Sequence, residues 1–346
     1  MSTLYDAELR EQPASLERLL GQGRAAAEAA AEHVRHRGAR FAVLAARGSS
    51  DNAARYGQYV LGIQNRLVAA LATPSLFTHY RAAPSMGDAL VVGISQSGQS
   101  PDIVEVLREA SRQGGATIAV TNDPGSPLAE AAEFVLPLLA GPERSVAATK
   151  TYTAQLMALA MLSAALSGDE QAWADLRGVP DAVARAIDGS AGLESMAPRF
   201  RDYAGLVVVG RGYNLSTAFE VALKVKETAG ILADGYSSAD FLHGPKAILE
   251  QRPPVLVVAP GPRTFEDLDG VVRLVRELAA PLLAISDRPE ILEGAEVAMS
   301  LPQGTPEWLS PIVAVVPGQL WALALSLARG RNPDAPVGLS KVTLTR

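Results

Sequence analysis

The 346-residue sequence contains no cysteine. That absence excludes disulfides, thiolate metal sites and a cysteine nucleophile, and it suits a reducing compartment, so a cytoplasmic location is expected. There is no basic block either: 31 basic against 37 acidic residues leave a formal charge of −6, which argues against a nucleic-acid partner. Any anionic ligand must therefore be held by local groups. Met1 to Glu11 is polar and acidic without an apolar core, so it does not read as a signal peptide. The longest apolar segments, Leu156 to Leu166 and Ile312 to Ala328, are too short or carry Pro317 and Gln319, and both read as buried helices rather than membrane spans. No metal ligands cluster, the glycine–lysine pairing of a P-loop is missing, and no GxGxxG fingerprint appears. No metal, nucleotide or redox cofactor is implied.

What is present is an alternation of short apolar runs with helical stretches. After a leading helix over Ala14 to Arg35, strands are predicted at Phe41 to Ala46, Leu67 to Leu71, Ala89 to Ile94, Ala116 to Val120 and Phe134 to Leu138. Between them lie a turn at Arg47 to Asn52 with a helix from Ala53 to Leu61, a helix near Pro74 to Tyr80, and one from Pro101 to Arg112 with proline in its first turn. Strands alternating with helices indicate an α/β fold with a parallel sheet covered on both faces. A helical stretch from Thr149 to about Met196, broken near Gly168 and Pro180, leads to a second half that echoes the first. Gly205 to Gly210 matches Phe41 to Ala46, Pro254 to Ala259 matches the strand ending at Ile94, and Pro281 to Ile285 matches Ala116 to Val120. Two copies of one order point to duplication of a small doubly wound domain. The expected division is a helical segment over 1–36, a first domain over 37–170, a helical connection over 171–196, a second domain over 197–330 and a tail over 331–346 carrying Lys341.

In open parallel sheets ligands bind beyond the carboxyl ends of strands, where the next helix offers free N–H groups. Gly48-Ser49-Ser50 and Ser95-Gln96-Ser97-Gly98-Gln99-Ser100 fall at two such ends. Hydroxyls and backbone N–H groups there can form a neutral cradle for a phosphate; the plainer reading is that serine and glycine make turns. In the second half Glu220, Lys224 and Glu227 recur at i, i+4 and i+7 and share one helix face, bordered by Ala218, Val221, Ala222, Val225 and Ala229. Such a stripe can line a cleft, or it can be a solvated ion pair worth about 0.3–0.5 kcal/mol, with Lys226 on the opposite face marking solvent.

Taken in order, Ser95-Gln96-Ser97-Gly98, the segment Glu143 to Lys150, the helix Glu220 to Glu227, His243-Gly244-Pro245 and Gly338-Leu339-Ser340-Lys341 resemble the sugar-isomerase (SIS) half of the glutamine:fructose-6-phosphate amidotransferase family. The resemblance runs from about Phe41 to the C-terminus. It implies two SIS subdomains with flavodoxin-like sheets, a hexose 6-phosphate or amino-sugar 6-phosphate ligand, and a homodimer in which His243 of the partner subunit completes the site. By that resemblance Ser49, Ser50, Ser95, Gln96, Ser97, Ser100 and Glu143 bind substrate, with Glu220 and Lys224 in support. Glu227 is the acid–base, His243 opens the sugar ring, and Lys341 stabilises charge or forms a Schiff base.

The amidotransferases also carry a glutaminase domain with a catalytic cysteine, and neither is present in this sequence. Release of ammonia from glutamine is therefore not expected. The pattern, with Arg47 where the synthase has a small residue, is similar to stand-alone glucosamine-6-phosphate deaminases of the second type. That implies conversion of glucosamine 6-phosphate to fructose 6-phosphate and ammonia. A fructosamine-6-phosphate deglycase, another 6-phosphosugar isomerase and a silent phosphosugar-binding regulator are the alternatives. Arg47 has a plainer reading too, as the partner of a nearby carboxylate.

Overall fold

The computed structural model describes residues 3–341. By packing the chain divides into two units that interleave in sequence. The first takes residues 14–143, 150–177 and 340–341, the second residues 3–13, 144–149 and 178–339.

The first unit is built on β1 (Phe41–Ala45), β2 (Val68–Leu71), β3 (Ala89–Ser95), β4 (Ala116–Thr121) and β5 (Phe134–Pro137). All pair in parallel, in the order β2-β1-β3-β4-β5. β3 is buried at every position, as a central parallel strand covered on both faces must be. The helix Pro101–Arg112 turns Ile103, Val104, Val106, Leu107 and Ala110 into a core with Met86, Val91 and Leu128. Each large aliphatic side chain so placed contributes about 1.5–3 kcal/mol.

The second unit holds β6 (Gly205–Gly210), β7 (Leu232–Ser237), β8 (Val255–Val258), β9 (Leu282–Ser286) and β10 (Val297–Ser300). They too are parallel, in the order β10-β9-β8-β6-β7. Read from its other end this is the same second-first-third-fourth-fifth order as the first sheet, so the repeat seen faintly in the residues is complete in the topology. Val207, Val209, Phe241, Val255, Val257, Val271 and Val275 form its core. The segment Glu307–Ala328 is long and apolar enough to cross a membrane, but 89% of its most apolar stretch is buried within the protein.

Three local expectations shift. The helix after β1 begins at Ser49, not Ala53, because Gly48, at φ +56, turns the chain so that the Arg47 and Gly48 carbonyls already accept the N–H groups of Asp51 and Asn52. The serines at this strand end are thus helical rather than part of a turn. β7 and β10 were not expected. Both are edge strands: β7 reads Leu-Ala-Asp-Gly-Tyr-Ser with Leu232 81% exposed, and a strand paired on one side needs no continuous apolar run.

Candidate active site

β1 and β3 are neighbours whose connections leave in opposite directions, and the crevice at their carboxyl ends is where a sheet of this order accommodates ligands. Ser95 is the last residue of β3, and the loop from Gln96 to Ser100 leads into the helix at Pro101. The loop is folded tightly on itself. Ser95 Oγ accepts the Gly98 N–H at 3.1 Å, and Ser97 Oγ accepts the Gln99 N–H at 3.3 Å. It is also tied to neighbouring segments: the Gln96 carbonyl accepts the Asn122 N–H, and the Gly98 carbonyl accepts that of Leu128. Gly98 sits at φ +64, and a Cβ added there would lie 2.0 Å from Ser126 Oγ, so no other residue fits. At the end of β1, Ser50 is buried and its hydroxyl accepts Gln155 Nε2 at 2.9 Å, while Ser49 is half-buried. Five of the predicted contacts, Ser49, Ser50, Ser95, Gln96 and Ser97, thus stand at adjacent strand ends, with Ser100 closing the loop.

The first unit also holds Glu143 and Lys341. The Glu143 side chain is fully buried, and it accepts the Thr151 N–H at 3.1 Å and the Thr151 hydroxyl at 2.6 Å, anchoring the start of the helix Lys150–Ser167. Lys341 Nζ lies 2.9 Å from the same carboxylate. The pair joins residues 198 positions apart in sequence and fixes the tail lysine at a defined place.

In the second unit the helix Leu215–Lys224 runs on into a π-helical turn, Val225–Ala229, that Gly230 ends in the left-handed conformation. π-turns inside helices recur at functional positions. Thr228 braces this one, donating to the Lys224 carbonyl at 2.8 Å. The predicted row is buried rather than solvated. Glu220 and Lys224 are wholly inside, the lysine Nζ lying 3.5 Å from Glu220 and 2.5 Å from Glu227. Glu227 alone of the three reaches solvent, at 24% exposure, and Lys226 points outward as expected. The solvated ion-pair reading therefore fails. His243 closes the short helix Ser238–Leu242 and is exposed.

Sequence reasoning did not single out two carboxylates that shape these segments. Asp102, in the first turn after the serine loop, is wholly buried against Arg47, so Arg47 does pair with a carboxylate. Glu8, in the second unit, accepts the N–H groups of Arg144 and Ser145 at 2.5 and 3.1 Å and so holds the segment that follows Glu143 in the chain. Neither leaves a signal in the sequence, since an acid in a helical first turn, as Asp102 is, is ordinary there, and the partners of both are remote in the chain. Among the described residues no group of three or more His, Asp or Glu side chains is placed to hold a metal ion.

Comparison with known proteins bears on what such a pair of sheets is. The SIS domain model matches residues 37–165 and again 200–329. The chain belongs to the SIS family. This SIS protein is 35% identical over 309 residues to the isomerizing glutamine–fructose-6-phosphate aminotransferase of Thermococcus kodakarensis, a match covering 86% of this chain and 51% of that enzyme. The chain thus spans about half the length of the curated relatives it matches. A candidate phosphosugar isomerase of Silicibacter pomeroyi has a structure similar to this one at a TM-score of 0.87 and 33% identity, over 96% of this chain and 100% of that one. The glucosamine-6-phosphate deaminase of Thermotoga maritima matches over 99% of this chain and 100% of its own, with a TM-score of 0.78. At 19% identity that likeness is one of fold.

Proposed function

We propose that this SIS protein is a phosphosugar aldose–ketose isomerase that acts as a deaminase, converting glucosamine 6-phosphate and water to fructose 6-phosphate and ammonia. The observation that carries the reading is the row on the second unit's helix: a wholly buried lysine between two carboxylates, one of them, Glu227, reaching solvent. An aldose–ketose interconversion needs one base that takes a proton from C2 and returns it at C1. Glu227 is assigned that step, through an enolamine. Hydrolysis of the resulting imine at C2 then releases ammonia and leaves the ketose.

The other roles follow from the chemistry of the side chains. The hydroxyls of Ser49, Ser50, Ser95, Ser97 and Ser100, the Gln96 side chain and the N–H groups opening the following helices are assigned the phosphate and sugar hydroxyls. His243 is assigned ring opening, in a homodimer that supplies it from the neighbouring copy. Lys341, held by Glu143, is assigned the charge that develops at the C1 oxygen or C2 nitrogen. Glu220 and Lys224 hold Glu227 in place. Membership of the SIS family, and the similarity to an isomerizing aminotransferase at 35% identity and to a candidate phosphosugar isomerase at 33%, support the isomerase part of the reading.

The test is incubation of the purified protein with glucosamine 6-phosphate and coupled detection of both products. Ammonia and fructose 6-phosphate in equal amounts are expected. Ammonia or amine release from fructosamine 6-phosphates alone would make the protein a deglycase, and binding of phosphosugars without turnover of either would make it a sensor.

A further inference from the structure

The serine loop carries no charge of its own, yet acidic side chains stand at both strand ends beside it. Asp102, two residues past Ser100, has its Oδ1 on the Ile103 N–H at 3.0 Å, while its Oδ2 takes Nε and Nη2 of Arg47, each at 2.8 Å. The carboxylate is 1% exposed and the arginine 52%. Asp51, in the first turn after β1, lies 3.2 Å from Arg55. Burial pushes its pKa up, and Arg55 and Arg47 pull it down. Arg47 therefore stands between the acidic first turns of two helices whose N-termini open at the crevice. A carboxylate in such a turn is favoured by the helix dipole, but its field opposes a second anion arriving at the same N–H groups.

We propose that Arg47 is the positioning residue that lets an uncharged serine loop accept a dianion: paired with Asp102, it cancels the field of the buried carboxylate at the β1 and β3 strand ends, and so sets the preference for phosphorylated sugars. The inference rests on the reading that the Ser95–Ser100 loop binds phosphate. It differs from direct phosphate binding by arginine, because its effect runs through Asp102. Removing Arg47 leaves a buried negative charge beside the loop, removing the Asp102 charge frees a positive one, and removing both restores neutrality.

The experiment measures affinity for fructose 6-phosphate and for inorganic phosphate by calorimetry, without turnover. If the wild-type protein binds neither, the functional reading fails and not this inference. Given wild-type binding, R47M is expected to weaken fructose 6-phosphate by about tenfold or more, the size of one unit charge at close range in a half-screened site. D102N is expected to bind as tightly as wild type or tighter, and the R47M/D102N double variant to return to within about threefold of wild type. R47K, which keeps the charge, is expected to recover most of the loss. Wild-type affinity in R47M, or a double variant as weak as R47M, overturns the proposal. If R47M does not fold, D102N decides alone, since a purely structural ion pair predicts weaker binding in D102N and charge compensation does not.

Discussion

The row Glu220, Lys224, Glu227 makes one prediction that separates stability from turnover residue by residue. In E220Q Lys224 keeps Glu227 at 2.5 Å, but Lys224 and Glu220 have side chains 1% and 0% exposed, so K224M breaks a buried pair and leaves Glu220 charged in a dry surrounding. That costs about 3–5 kcal/mol. At roughly 2–4 °C per kcal/mol for a domain of this size, Tm should fall by about 6–20 °C. Glu227 is different. It is partly open to solvent, Lys224 keeps Glu220 when Glu227 is neutralised, and glutamine fills the same volume, so E227Q should cost about 1 kcal/mol or less. Its effect on turnover should be the reverse, a fall of about a hundredfold to ten-thousandfold if Glu227 moves the proton between C2 and C1. Binding of fructose 6-phosphate should persist. The assay pairs thermal melts of the three variants with ammonia release from glucosamine 6-phosphate and calorimetric affinity for the ketose. An E227Q protein that melts as early as K224M, or one that turns over at the wild-type rate, refutes the assignment.

Three further outcomes are expected. G98A forces a Cβ against Ser126 in a left-handed backbone, which should cost roughly 2–4 kcal/mol and abolish phosphosugar affinity; an unchanged melt with intact binding contradicts the loop geometry. K341M leaves the buried Glu143 carboxylate with its two Thr151 contacts but without its cation, which should cost about 3 kcal/mol, and should lower turnover by at least about a hundredfold in protein that remains folded; folded K341M with wild-type turnover would make Lys341 structural. Glu307 has its pKa raised by burial, against the pull of Arg263. A carboxyl raised in the folded state binds its proton more tightly there than unfolded, so stability is lost as pH rises from about 4.5 through the folded value. E307Q should flatten that decline in urea midpoints measured between about pH 4.5 and pH 7, and an unaltered slope would place the titration elsewhere.

How much could be read in advance differs between the two sheets. In the first, every strand was legible, and the helix at Pro101 was bounded at both ends, because a proline start and an apolar face of period 3.6 leave few alternatives. In the second, the central strands β6, β8 and β9 were legible while β7 and β10 were not. Central parallel strands are buried on both faces and must be apolar throughout, whereas an edge strand with one face in solvent carries residues such as Asp234 and Gly235 that mimic a loop.

The candidate site divides along a similar line. Residue order alone placed serines at strand ends, put Glu220, Lys224 and Glu227 on one helix face and carried the SIS pattern, because those features depend on local spacing and period. What that helix face meets was not local information. The same spacing suits a solvated stripe worth a few tenths of a kcal/mol and a buried row whose disruption costs several, and only the packing around the helix made it the second. The pairs Arg47 with Asp102 and Glu143 with Lys341 lie 55 and 198 residues apart, and no periodicity reaches that far. Period and composition determined which side chains travel together; the closing of the chain on itself decided which charges lost their water and which partners they gained.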